Sequence, residues 1–277
     1  MYMTDHLMPT APSLTVVGTG IRAALDTTLE SLACIERASV VLYLLADEPS
    51  GAWIEQLNPA ARSLSPLYEL GKPRFEIYEA IVDEILDCLR RGSDVCVAFY
   101  GHPGFYAFAG HEAIKRARLE GFPARMLAGV SCEDQMYSDL GIDPGSSGCQ
   151  TYEATSFLVY RFLFDPSAAL VLLQMGVLGE PDWPPTGDNS RLHILVGHLQ
   201  QHYEAHHEVI IYEASLDSEK PPRMERVPLS NLHAMSVSVS STLYVPPKGL
   251  PPLDLEMVDR LKIKVPSTPV QPGAWAR

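Results

Sequence analysis

The sequence predicts an α/β fold in two subdomains, and three observations carry that reading. Short apolar runs such as LTVVG (from Leu14), VVLYLL (from Val40) and DVCVAFYG (from Asp94) have the length and composition of buried strands. Amphipathic stretches at helical spacing lie between them, an alternation that argues for a largely parallel sheet. Glycine-bearing turns, GTG at Gly18 and GHPG at Gly101, fall where strands end. Ligands of open α/β sheets sit at those carboxyl ends.

The elements follow in order. After the LTVVG strand, a helix over about Thr27 to Arg37 sets LESLACIE against the core. VVLYLL is the second strand. Arg74 to Arg91 reads as a long helix whose inner stripe is Phe75, Ile77, Tyr78, Ile81, Ile85, Leu86 and Leu89, with Gly92 as its stop. DVCVAFYG is the third strand, HEAIKRARLEG a helix and ARML (from Ala124) a fourth strand. The second half is less regular: strands at AALVLLQMG, VIIYEA and STLYVPP, and a helix over Ser190 to Ala205. The expected division is an N-terminal α/β subdomain over 13–128, a C-terminal one over 129–247, and a proline-rich tail over 248–277 with a short helix at Asp254 to Ile263. The two halves are expected to face each other across a cleft.

Composition excludes several functions. A net charge of −13 argues against nucleic acid, whose phosphates need a basic surface. No apolar run reaches the roughly 18 residues of a membrane helix. The start, MYMTDHLMPTAPS, lacks the order of a signal peptide. Five scattered cysteines with no CxxC pair suggest reduced thiols in a cytoplasm.

Candidate sites come next. GTGI lacks the third glycine of a dinucleotide fingerprint and reads equally as a tight turn. FYGHPGFY, Phe99 to Tyr106, is more telling, because glycines flanking a proline after a strand let backbone amides approach a ligand. His102 is either a hydrogen-bonding group there or a turn residue. Ser131 in GVSCED is a helix N-cap with Asp134 at capping-box spacing. HILVGHLQQHYEAHH places three histidines four apart, yet offers no HExxH glutamate, so no metal site is expected. Trp183, in GEPDWPPTGD, reads as a surface loop anchor. In YELGKPRFEIY, Arg74 and Tyr78 share one helix face, with Tyr68 just upstream. A guanidinium beside phenols is either a site or a surface feature, an arginine at a helix start stacked on a tyrosine.

These segments together carry a resemblance. VVGTGI, YGHPGF, GVSCEDQMYSDLGIDPG with GCQTYEATSFL, and SSTLYVPP resemble the tetrapyrrole methylase superfamily. With YELGKPRFEIY, they are more similar to its borosin peptide backbone α-N-methyltransferases, over about Ser13 to Pro247. The resemblance implies a tetrapyrrole-methylase-like α/β fold with the S-adenosyl-L-methionine (SAM) cleft between the subdomains. It implies Tyr68, Arg74 and Tyr78 as the catalytic group. For binding SAM, and its product S-adenosyl-L-homocysteine (SAH), it implies Tyr100, Gly101, His102, Pro103, Gly104 and Phe105, then Ser131, Gln174, Ala214, Ser241 and Thr242. Ser65 stands where the fused borosin enzymes show a tyrosine, and the GIRAALD and GHP turns depart from those of tetrapyrrole enzymes.

The implied function is iterative methylation of backbone amides in a ribosomal precursor peptide. Only about thirty residues follow STLYVPP, so a split system is expected, with the precursor in trans on an interlocked homodimer, 2:2. The alternatives are a porphyrin or corrin C-methyltransferase and a non-catalytic SAM- or peptide-binding scaffold. Chemically, an amide nitrogen is a poor nucleophile because its lone pair is delocalised. Tyr78 is the expected base, its pKa lowered by Arg74. Tyr68, with Arg74, is expected to donate to the carbonyl oxygen as charge develops.

Overall fold

The computed structural model describes residues 12–183 and 187–264, which divide into two compact units. The first comprises the chain to Gln135 together with Pro181–Trp183 and Ala214–Pro221. The second takes Met136–Glu180, the stretch ending at Glu213, and the chain from Pro222 onward. The far end of the proline-rich tail lies outside the described residues.

In the first unit, strands β1 (Leu14–Gly18), β2 (Val40–Leu44), β3 (Ala61–Ser63), β4 (Val95–Phe99) and β5 (Ala124–Met126) form one sheet. Its order is β3-β2-β4-β1-β5, and every pairing is parallel. The chain leaves β1 toward β2 and leaves β4 toward β5, in opposite directions. The crevice at the carboxyl ends of β1 and β4 is therefore the topological switch point of the sheet.

The helices of this unit are α1 (Ala23–Asp26), α2 (Leu29–Arg37), α3 (Glu48–Leu57), α4 (Arg74–Arg90) and α5 (Phe108–Leu119), with α6 (Cys132–Leu140) running from it into the second. Thr28 caps α2 by accepting from the Ser31 amide, and Asp47 caps α3 through the Ser50 amide. On α4 the buried stripe is Ile77, Ile81, Val82, Ile85, Leu86 and Leu89. Each such side chain contributes about 1.5–3 kcal/mol when taken out of water. Phe75, expected in that stripe, is instead 61% exposed. Gly92 ends the helix as expected, in a left-handed conformation (φ 89°) that brings its amide to the Leu89 carbonyl. Ala109, Ala113 and Ala117 on α5 are small enough to bring that helix close against the same core.

In the second unit, β6 (Cys149–Glu153), β7 (Ala169–Leu173), β8 (Glu208–Glu213), β9 (Arg223–Pro228) and β10 (Thr242–Val245) form a sheet in the order β6-β7-β10-β8-β9. Its helices are α7 (Pro144–Ser147), α8 (Ala154–Val159), α9 (Leu192–Leu199) and α10 (Leu255–Arg260). Only β6 and β7 run parallel; the other neighbours are antiparallel. The expectation of a largely parallel arrangement thus holds for the first sheet and fails for the second. There β8 turns back into β9 without a crossover helix, as an antiparallel pair permits.

Candidate active site

The switch point is built from backbone. Gly20 and Gly101 form an antiparallel bridge, with the Gly101 amide donating to the Gly20 carbonyl at 2.9 Å and the return bond at 3.2 Å. A Cβ at Gly18 would stand 2.3 Å from the Gly101 carbonyl oxygen, and one at Gly129 would stand 2.8 Å from the same atom. Three loop starts, after β1, β4 and β5, converge on that oxygen, and only glycine lets them. Gly18→Ala is expected to cost about 3 kcal/mol of stability, the upper end for overpacking, because the obstructing atom is backbone. Denaturant unfolding checks it; an unchanged midpoint would show that the juncture is loose.

The GHPGF loop continues from this juncture. His102 Nδ1 accepts the Gly104 amide at 2.9 Å, and His111 Nε2 lies 2.9 Å from the Gly104 carbonyl oxygen. His102 is therefore tied into its own loop as a turn-forming group. Pro103 is buried, Gly104 and Phe105 half-buried. Tyr106, next in line, holds φ 55°, a conformation that costs a non-glycine residue energy and gathers at functional sites. Tyr100 is 37% exposed, yet burial around its hydroxyl pushes its pKa up, with Cys132, Asp26 and Asp47 adding to the rise. Ser131 is buried and occupied as a helix cap: its hydroxyl donates to Asp134 at 2.7 Å and accepts the Asp134 amide at 3.0 Å. Ala214 also belongs to the first unit, half-buried just past the end of β8.

Gln174, Ser241 and Thr242 belong to the second unit. Gln174 follows β7 in a left-handed conformation, φ 58° and ψ 34°. Ser241 is fully buried beside Thr242 at the start of β10.

Tyr68, Arg74 and Tyr78 are brought together in the first unit. Tyr68 ends the 3-10 turn Ser65–Leu67, its amide bonded to the Ser65 carbonyl at 3.0 Å. Ser65 itself is exposed and contributes this backbone bond. Arg74 opens α4, where its amide bonds to the Pro181 carbonyl at 3.1 Å. Pro73 bridges Asp182, and the Trp183 amide reaches the Lys72 carbonyl at 3.3 Å. That short pairing sets Trp183 edge-on against Tyr68, ring centroids 5.1 Å apart. Trp183 is thus no surface anchor; it is a wall behind Tyr68. Tyr78 faces Phe108, centroids 6.1 Å apart, and Phe108 also meets Phe75 at 5.5 Å.

The electrostatics overturn one expectation. Burial pushes the Tyr78 phenol above its ordinary pKa, and Arg74 offsets this only in part. Tyr68 is raised by burial first and by Tyr78 second, again with Arg74 opposing. Arg74 does act in the predicted direction on both phenols, so the three groups are electrostatically coupled. Desolvation of a phenolate is the larger effect here. Both tyrosines therefore rest as neutral hydroxyls.

Sequence reasoning missed Trp183, whose place depends on a two-strand pairing far along the chain, and Phe108. The histidine segment has a structural role: His198 packs edge-on against Phe157 and His202 against Phe164. Among the described residues no cluster of metal-ligating side chains is present.

Comparison with known proteins identifies the family. Residues 13–231 match the family of tetrapyrrole (corrin/porphyrin) methylases. The chain is 38% identical, over 96% of its own length and 71% of the relative's, to a methyltransferase/ribosomally synthesized type I borosin cyclic peptide precursor of Coprinopsis marcescibilis. It is 38% identical to the methyltransferase/omphalotin A precursor of Omphalotus olearius, covering 91% of this chain and 62% of that protein. The chain thus spans about two thirds of the length of these relatives. The uroporphyrin-III C-methyltransferase of Thermus thermophilus shares the fold at a TM-score of 0.61 and 18% identity, over 92% of this chain and 98% of that one. By the family match and the borosin similarity together, the chain belongs to the tetrapyrrole methylase family and, within it, to the borosin methyltransferases, and is a SAM-dependent methyltransferase.

Proposed function

We propose that this enzyme methylates backbone amide nitrogens of a ribosomal precursor peptide, repeatedly, with the peptide supplied as a separate chain. The observation that supports it most is the coupling of Tyr68, Arg74 and Tyr78 at the start of α4. Two phenols and a guanidinium are what an amide needs: a group to take the N–H proton and donors for its carbonyl oxygen. The relatives are methyltransferases joined to peptide precursors, which supports a peptide as substrate. Supply in trans, a homodimer engaging two precursors and a cytoplasmic setting are parts of the same proposal. The free thiols suit a reducing compartment.

The residues present fit SAM. In the first unit the glycine juncture exposes backbone at a strand switch point, with Tyr100, Gly101 to Phe105 and Ala214 adding an aromatic hydroxyl and further backbone. In the second unit the amide of Gln174 and the hydroxyl of Thr242 are groups that suit an amino-acid head or a nucleoside. When bound, SAM supplies an electrophilic methyl group. The chain's own residues do the rest. Tyr68 Oη and Arg74 hold the amide carbonyl oxygen and stabilise the charge that grows there as the nitrogen loses its proton. Tyr78 Oη takes that proton. Because burial raises the pKa of Tyr78, its ionised fraction at neutral pH is small, but the ionised form is a stronger base. Phe108 beside Tyr78 and Trp183 beside Tyr68 supply apolar surroundings that sharpen these interactions.

Mass spectrometry tests the reading. The protein is incubated with SAM and, as a separate chain, a peptide encoded beside its gene or the precursor portion of the omphalotin A protein. Mass steps of one methyl on backbone nitrogens are expected. An unmodified peptide alongside a methylated tetrapyrrole in a parallel assay would overturn it.

A further inference from the structure

In the second unit a charged pair stands directly behind the residues read as donor-binding. Glu213 ends β8, and Arg223 opens β9 opposite it in the antiparallel register. Arg223 Nη1 meets Glu213 Oε1 at 2.9 Å. Its Nε and Nη2 donate to Glu225 Oε2 at 3.1 and 2.6 Å, and Nη2 also reaches the Ser236 carbonyl at 2.9 Å. One guanidinium thereby ties two strands to the loop that leads into β10. The side chains of the pair are only 23% and 26% exposed, so loss of one partner leaves the other poorly solvated.

The same carboxylate oxygen accepts the hydroxyl of Ser241 at 2.5 Å. Ser241 Oγ in turn accepts the Ser238 amide at 2.8 Å, the Ser241 amide donates to the Ser238 carbonyl at 3.1 Å, and the Ser241 carbonyl accepts the Met175 amide at 3.2 Å. Met175 directly follows the left-handed Gln174. Ser238 is pressed so closely on Gly176 that a Cβ there would lie 1.9 Å from the Ser238 carbonyl oxygen. Ser241 is thus committed to the protein at its hydroxyl, its amide and its carbonyl. Its place is that of a joint between the Glu213–Arg223 pair, the 236–241 loop and the Gln174 turn.

We propose that Glu213 and Arg223 are positioning residues for donor binding: through Ser241 they fix the Gln174 turn and the start of β10, where Thr242 stands. This deepens the proposed function and rests on its reading of Gln174 and Thr242 as donor contacts. The ion pair and its hydrogen bonds hold the donor half-site in one arrangement before the ligand arrives, which raises affinity by removing an ordering cost.

The test is calorimetric titration of the full chain with SAH, which needs no turnover. Glu213→Ala is expected to weaken SAH binding by about tenfold or more, the usual effect of removing a charged hydrogen-bond partner. Glu213→Gln, whose amide oxygen can still accept from Ser241, is expected to recover most of that loss. Arg223→Met is expected to weaken binding several-fold. In steady state the loss lies in KM for SAM and not in kcat, and the affinity for peptide stays within about twofold of wild type. A folded Glu213→Ala protein that binds SAH as the wild type does would overturn the proposal and leave the donor reading standing. Should Glu213→Ala fail to fold, Arg223→Met with wild-type SAH affinity would overturn it equally. A wild type that binds no SAH would instead remove the donor reading itself, and this inference with it.

Discussion

Tyr78→Phe is expected to lower the single-turnover rate of peptide methylation by about 10³-fold, within the 10²–10⁴ range for loss of a positioned general base. The fold and the affinity for SAH are expected to stay as they are. The substitution removes one oxygen and keeps the ring, so the contact with Phe108 at 6.1 Å survives. Burial already disfavours ionisation of this phenol, so an apolar ring is no worse accommodated there. The rate is read by rapid quench at saturating SAM, and binding by calorimetry. A Tyr78→Phe enzyme within tenfold of wild type would remove Tyr78 from the role of base.

Arg74→Met is expected to lower the rate by about 10²–10³-fold, the loss typical when a donor to a developing oxyanion is removed. Two causes combine. The carbonyl oxygen loses a cationic partner, and both phenols lose the cation that opposes the effect of burial. The Tyr78 pKa should therefore rise further, so its ionised fraction falls by the same factor at every pH below both pKa values. Arg74→Lys keeps the charge and loses the planar fork, and is expected to fall between the two. Melting temperature is expected to move little, because Arg74 sits in the first helical turn and its backbone bond to Pro181 needs no side chain. Equal activity of the Arg74→Met variant and the wild type would show that the guanidinium has no part in the chemistry.

The first sheet was legible in the sequence because its strands are continuous apolar runs and its helices have one clean face. β1, β2, β4 and α4 sit where pattern places them, with α4 shortened by a single residue, and α5 starts three residues before the expected His111, at Phe108. The helix α3 and the strand β3 were not read. Pro49 and Gly51 resemble turn residues, although Asp47 as cap followed by a proline in the first turn is also a helix start. β6 and β9 were missed for a different reason. CQTYE and RMERVP are short and half-exposed, with charged or polar residues on one face, so apolar content does not mark them. The helix expected over Ser190 to Ala205 contracts to Leu192–Leu199, since the histidines beyond it turn back toward Phe164 and Tyr203.

At the candidate site, spacing alone placed Arg74 and Tyr78 on one face of α4, and the structure keeps them in electrostatic reach. The net direction of the phenol pKa was not legible. It depends on how much protein surrounds the hydroxyl, and part of that protein is Phe108 and Trp183, thirty and more than a hundred residues away in sequence. A pair of charges can be read from two letters, whereas desolvation is a property of the whole fold.

The most direct measurement is the pH dependence of the single-turnover rate for wild type and Arg74→Met. A base whose phenol is held above its ordinary value of about 10 is mostly protonated through the whole accessible range. Its active fraction then grows tenfold per pH unit, so the wild-type rate should climb with unit slope from about pH 7 to 9.5 without a plateau, and the Arg74→Met line should run parallel beneath it. A wild-type profile that is flat over that range, or that levels off near neutrality, would contradict a buried phenol as the group that takes the amide proton.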